Sequence, residues 1–231
     1  MKRISILQPG YIPWLGFFEQ MVYADTFVIY DDVQYDKNGW RNRNRIKTPQ
    51  GILWLTVPVL SSGKTGQIVR EVEIDNKLNW RKNHLKSIEL NYKKAPFFKD
   101  YFGIFEDTYS REWINLLELD MYLIHKLRQA LGINTPVLYS SEMSSKGENV
   151  ERLIKMCKEL GADEFYEGSS GRNYIDDNLF ENNGIKIAYQ DYRHPVYPQL
   201  HGDFIPYLSV IDLIFNCGKD SLGILCNRNS L

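Results

Sequence analysis

Ile4-Ser5-Ile6-Leu7-Gln8-Pro9-Gly10-Tyr11-Ile12-Pro13-Trp14-Leu15-Gly16-Phe17-Phe18, followed a few residues later by Thr26-Phe27-Val28-Ile29-Tyr30, is the stretch that decides the fold class. Residues 4–7 form a short apolar run that Pro9-Gly10 stops. Pro13 sits where a first helical turn tolerates proline, and Trp14-Leu15, Phe17-Phe18 and Met21-Val22 recur at helical spacing. Residues 26–30 are apolar and branched again. Strand, loop, helix and strand within about thirty residues is a βαβ start, the signature of an α/β protein.

Downstream the pattern changes. Asn38-Gly39 is a two-residue hairpin signal between residues 33–37 and 40–47. Thr48-Pro49-Gln50-Gly51 is a second turn, feeding a β segment over 52–59, and a third covers 68–74. These segments predict an antiparallel meander grafted onto the α/β start. A mostly helical insert follows, over about 76–132. In it Leu78, Leu85 and Ile88 share a stripe after a cap at Asp75 or Asn76, residues 98–109 form a second helix, and a third runs from Trp113 to Leu131 and stops at Gly132. Strands over 137–139, 164–167 and 185–189, a helix over 150–160 and a closing helix over 206–216 return the chain to α/β. The expectation is one α/β domain over residues 1–231.

Composition narrows the function classes. The 231 residues carry 28 Lys and Arg against 29 Asp and Glu, a net charge of -1, so a generally basic nucleic-acid coat is excluded. No run of 18 apolar residues occurs, so no membrane insertion is expected, and three scattered Cys without a CxxC pair fit a reduced cytoplasmic protein. Aromatic residues are plentiful, with 15 Tyr, 11 Phe and 5 Trp, and Tyr and Trp suit surfaces that are half apolar and half wet.

Five constellations carry candidate chemistry. Trp40-Arg41-Asn42-Arg43-Asn44-Arg45-Ile46-Lys47, read as a strand, puts Arg41, Arg43, Arg45 and Lys47 on one face. A hairpin at Asn38-Gly39 would set Asp36 opposite Arg41, Gln34 opposite Arg43, Asp32 opposite Arg45 and Tyr30 opposite Lys47, leaving Arg43 and Lys47 for a phosphate or diphosphate. Gln8, Tyr11 and Trp14 lie in the loop after the first strand, where α/β folds bind ligands. Glu167-Gly168-Ser169-Ser170-Gly171-Arg172 is a Gly/Ser loop in which Ser169, Ser170 and Arg172 could cradle an anion. The segment from Tyr189 to His201 interleaves Tyr192, Tyr197 and Gln199 with two prolines, a mixture suited to a sugar, and His194 and His201 are candidate acid–base catalysts. Asp212 and Asn216, with Ser209, form a polar stripe on the closing helix, facing either a buried network or a pocket. Cys217 ends that helix, where the dipole should raise its pKa. Ser62-Gly63-Lys64-Thr65 is not a P-loop, since Pro58 stands in place of its first Gly. No His or Cys pair has metal-ligand spacing.

Gln8-Pro9-x-Tyr11-x-Pro13-Trp14-x-Gly16, Asp31-Asp32-Val33-Gln34-Tyr35, the arginine block, the Tyr192-x-His194-Pro195-x-Tyr197-x-Gln199 run and Ser209-Val210-Ile211-Asp212-Leu213 with Phe215-Asn216-x-Gly218 together resemble the WbqC-like family over nearly the whole chain. Such proteins are found with bacterial surface-polysaccharide genes, O-antigen clusters in particular, and one member is suggested to be a glycine transferase. The resemblance implies sugar modification, and the leading expectation is a transferase that attaches an aminoacyl or other acyl group to an amino sugar carried on a nucleoside diphosphate. An activated donor is then required, whether thioester, adenylate or charged tRNA; nucleic acid is otherwise not expected as a partner. The rival readings are a nucleotidyl-transfer or adenylating enzyme of the α/β type and a non-catalytic sugar-nucleotide-binding protein.

Overall fold

The computed structural model describes residues 1–37 and 39–226. In chain order the elements are β1 (Arg3–Leu7), α1 (Leu15–Tyr23), β2 (Thr26–Ile29), β3 (Arg43–Thr48), β4 (Gly51–Thr56), α2 (Trp80–Tyr92), α3 (Phe98–Tyr101), α4 (Gly103–Ser110), α5 (Leu116–Leu131), β5 (Val137–Tyr139), α6 (Asn149–Glu159), β6 (Glu164–Glu167), α7 (Asp177–Glu181), β7 (Lys186–Tyr189), α8 (Val210–Cys217) and α9 (Ser221–Leu225).

Five strands pair in the order β5-β2-β1-β6-β7, every pair parallel. Counted along the chain within this sheet, the order is 3-2-1-4-5, which is a doubly wound arrangement. The apolar runs follow from it, because helices cover both faces. Phe27 and Ile29 of β2 point into a large core with α1, α5 and α8, whereas Ile4, Ile6, Val28 and Phe165 point into a second core with α6 and α7. The mixed α/β class and the helical insert are as the sequence indicates. Asn115 caps α5 by accepting from the Leu117 and Glu118 N–H groups, and Gly132, at φ 76°, ends it.

The meander is where the structure departs from expectation. The β3 and β4 strands form their own two-stranded antiparallel sheet around the 48–51 turn, pairing Arg43 with Thr56, Arg45 with Trp54 and Lys47 with Ile52. Residues 33–37 do not pair with 40–47; Gln34 instead bridges Ile68. The proposed turn includes Asn38, which lies outside the described residues. Residues 68–74 contribute isolated bridges and a 3-10 turn rather than a third strand. Asp32, expected opposite Arg45, and its neighbour Asp31 are engaged instead by the residues after β5 and by α6. There Asp31 accepts from the Ser141 N–H at 3.0 Å and the Ser141 hydroxyl at 2.7 Å, and Asp32 pairs with Arg152 at 2.6 Å. The cap of α2 is Asn79, not Asp75 or Asn76, and Leu78 is exposed ahead of the helix.

Candidate functional site

The chain leaves β1 through α1 toward β2 on one side and reaches β6 on the other side through α6. The carboxyl ends of β1 and β6 therefore splay apart at a topological switch point, where open α/β sheets bind ligands. A cleft of about 1070 Å³ lies there. Its walls include Leu7 and Gln8 after β1, Trp14 and Gln20 of the α1 region, Tyr30, Asp32 and Gln34 after β2, and Arg41. Residues 147–150 with Arg152 at the start of α6, 167–170 with Tyr174 after β6, and Gln190 after β7 complete it. A smaller hollow of about 500 Å³ adjoins it through Gln34, between residues 34–37 and 65–67.

The loop after β1 is held from below by the arginine block. Arg41 Nη1 donates to the Gln8 and Pro9 carbonyls, each at 2.8 Å, and Asn44 Nδ2 donates to the Tyr11 and Ile12 carbonyls at 3.2 and 2.9 Å. The Ser209 hydroxyl adds a second hold on the Ile12 carbonyl, at 2.7 Å. This over-determination explains how the buried, β-branched Ile12 keeps a φ of 37°. Arg41 still has one donor, Nε, that is buried and without a partner. No side chain caps α6, whose first turn opens into the cleft, and Asn149 starts it at φ 51°. Uncapped N–H groups and the positive end of a helix dipole favour an anion there.

Glu167, at the end of β6, is the titratable group with the most telling environment. Its side chain is 8% exposed and accepts from the Tyr174 hydroxyl at 3.3 Å. Burial pushes its carboxyl up to about 7, against the lowering effect of the Gly168 N–H and Tyr174. A Cβ on Gly171 would lie 2.4 Å from Glu167 Cγ, so only glycine lets the loop close over this side chain. Asp32 behaves in the opposite way. Although burial opposes it, hydrogen bonds from Arg152 and Ser140 hold its carboxyl below the usual range, and the Arg152 guanidinium also lies over the Tyr30 ring at 5.2 Å.

Of the residues singled out in the sequence, Gln8, Trp14, Asp32, Gln34, Arg41, Ser169 and Ser170 line this cleft. The others lie elsewhere. Tyr11 is fully buried, its hydroxyl 2.8 Å from His84 Nδ1 and also bonded to Tyr109. Arg43 lies over Trp54, and Arg45 over both Trp40 and Trp54, with Arg45 Nη2 donating to the Tyr207 carbonyl at 2.7 Å. Lys47 is buried and donates to Gln199 Oε1 and the Gly202 and Asp203 carbonyls. Arg172 lies over Tyr189, and Tyr192 meets Trp14 edge-on. Tyr197 is buried, and Asp212, which accepts from Tyr92 at 2.8 Å, and Asn216 belong to a buried network on α8. Cys217 is pushed up to about 11, first by burial and then by Asp212 and Asp220.

Neither histidine lines the cleft. His194 Nδ1 bonds the Pro195 carbonyl at 3.0 Å, its ring is packed among Tyr192, Tyr197, Phe204 and Tyr207, and burial lowers its pKa. His201 Nε2 is 2.7 Å from the Asn91 carbonyl. The arginine strand meets the His-Pro segment through Lys47–Gln199, and Arg45 reaches Tyr207 beyond it, both as packed structure. The reading from sequence missed Glu167, Gln20, Gln190, Arg152 and Tyr174. Only Glu167 carried a signal, a carboxylate ending a strand before Gly-Ser-Ser.

Among the described residues, no helix is long and apolar enough to cross a membrane. A profile of the WbqC-like protein family matches residues 8–224. The chain is 39% identical over 223 residues, 96% of each chain, to a Mycobacterium tuberculosis protein described as "Uncharacterized protein Rv1507c". No solved structure matches. With the profile covering the two-stranded sheet, every strand of the parallel sheet except β1, the cleft loops and the arginine block, this chain belongs to the WbqC-like protein family.

Proposed function

We propose that this WbqC-like protein is a cytoplasmic transferase of bacterial surface-polysaccharide (O-antigen) synthesis, attaching an aminoacyl (glycyl-like) or other acyl group to an amino sugar carried on a nucleoside diphosphate. The observation that carries this reading is Glu167, a buried carboxyl pushed up to about 7 at the switch-point cleft. A general base works best when its pKa lies near the working pH. In this reading the diphosphate lies against the first turn of α6 and the free Arg41 Nε, with Ser169 and Ser170 as further donors. Trp14 offers a flat face to the base or sugar ring.

The chemistry is an acyl transfer. The Glu167 carboxylate takes a proton from the sugar ammonium, and the freed amine attacks the carbonyl carbon of the activated donor. A C–N bond forms, the C–S or C–O bond to the leaving group breaks, and the leaving group departs with the electron pair and takes up the second proton that the amine nitrogen sheds. The test is to incubate the protein with UDP-glucosamine and aminoacyl or acyl donors and to read the sugar nucleotide by mass spectrometry. A mass increase that Glu167→Gln abolishes is expected; no increase with thioester, adenylate or charged tRNA overturns the reading. The strand order also suits an adenylating enzyme, for which pyrophosphate release from ATP without sugar modification is the distinguishing result.

A further inference from the structure

Beside Glu167 the cleft wall contains a hydrogen-bonded chain whose polarity can be worked out atom by atom. Gln190 Nε2 donates to the Gly16 carbonyl at 2.8 Å and to Glu19 Oε2 at 2.5 Å, and the Tyr166 hydroxyl donates to Glu19 at 2.9 Å. The Gly16 carbonyl can only accept, so the Gln190 amide is oriented whatever the protonation state of Glu19. Its Oε1 must then accept, and Gln20 Nε2 donates to it at 3.0 Å. That leaves Gln20 Oε1 as an acceptor with no partner, on a side chain 2% exposed that lines the cleft. Its amide lies beside the Glu167–Gly168 segment, because a Cβ on Gly168 would sit 3.4 Å from Gln20 Nε2. Gln8 Oε1, also on the cleft, is a further buried oxygen without a partner.

We propose that this part of the cleft is an amine-selective pocket, in which the locked Gln20 carbonyl oxygen and the Glu167 carboxylate receive the N–H groups of a primary ammonium, with the Gln8 oxygen as a third acceptor. Gln20 is the specificity-determining residue, and Gln190, backed by Glu19 and Tyr166, is a positioning residue acting through it. The chemistry follows from a surface made of acceptors. An ammonium supplies three donors and a positive charge. A hydroxyl supplies one donor, leaving buried oxygens unpaired, and an N-acetyl group turns a carbonyl oxygen toward other acceptors. Sites built around such pairing discriminate strongly against the analogue that lacks it. The proposal rests on the reading that the cleft holds an amino sugar, and it says which form of that sugar is accepted.

The experiment is a titration calorimetry panel on the wild-type protein with UDP-glucosamine, UDP-N-acetylglucosamine and UDP-glucose, repeated with Gln20→Met and Gln190→Leu. The wild type should bind the free amine at least about tenfold more tightly than either analogue. Gln20→Met should collapse that preference toward unity with little change in the UDP-glucose Kd, and Gln190→Leu should reduce it partially, an effect that loss of packing alone does not produce. Equal binding of all three by the wild type overturns the amine pocket and leaves the sugar-nucleotide reading standing. Tightest binding of the N-acetyl form overturns it likewise, and binding of none overturns both.

Discussion

The arginine block over residues 40–47 and the cleft wall made by Gln20, Glu167 and Gln190 are opposites. The block has the densest charge in the sequence, yet its groups are largely engaged: Lys47 on three oxygens, Arg45 on two tryptophan rings and a carbonyl, Arg41 on two carbonyls of the β1–α1 loop. The cleft wall is almost silent in the sequence, yet it holds a carboxyl poised near neutrality and an amide oxygen with nothing to bind. Charge in a sequence therefore measures what a residue can do, whereas function falls to atoms the fold leaves unspent. Apart from Arg41, whose Nε is left without a partner at the cleft, the block shapes the site by clamping a strained loop, and the wall offers the groups that meet the amine.

The sharpest way to break this comparison is to mutate one side of it. Glu167→Gln should lower turnover by about 10²–10⁴-fold, the range for loss of a general base, in the mass-spectrometric transfer assay. Lys47→Met tests the other side. It strips a buried cation from three acceptors, so it should destabilise the protein by about 2–4 kcal/mol, seen as a lower urea midpoint. Its ligand Kd, measured well below that midpoint, should stay within about threefold if the strand is scaffold.

Glu167 also predicts a pH signature. Its folded pKa of about 7 lies above that of an unfolded glutamate, so the native state holds a proton that the unfolded chain releases. Stability from this group is present at pH 4 and is lost as the pH rises toward 7 and beyond, by on the order of 3 kcal/mol. Glu167→Gln, always neutral, escapes that loss. The variant should match the wild type in Tm at pH 4 and exceed it by several degrees at pH 8; a constant offset would mean the carboxyl is not perturbed. The smallest effect is expected for Arg45→Ala, about 1 kcal/mol from its contacts with Trp40, Trp54 and the Tyr207 carbonyl. Nucleotide-sugar affinity should not change, and a large loss of affinity would return the block to the binding site.

Much of the frame was legible. The run from Ile4 to Tyr30 announces its βαβ unit because parallel strands covered on both faces read as short apolar runs, and Gly132 and Gly161 end helices by their left-handed backbones. The hairpin register was not. Asn38-Gly39 is a strong local signal, but Asp31 and Asp32 are settled by Ser140, Ser141 and Arg152, more than 100 residues away. The asparagines of the block were overlooked beside its arginines, although Asn42 and Asn44 make the buried clamps, to the Val57, Tyr11 and Ile12 carbonyls. His194 and His201 drew attention through their chemistry alone. That both lie away from the cleft, and that Gln20 is left with an open oxygen, depends on contacts spanning most of the chain.

A crystal structure with UDP-glucosamine bound tests the central claim most directly. The diphosphate should lie at the first turn of α6 beside Arg41, and the amine against Glu167 and Gln20. Density for the sugar nucleotide on the β3–β4 sheet, or among residues 192–207 with its amine at His194, would contradict it.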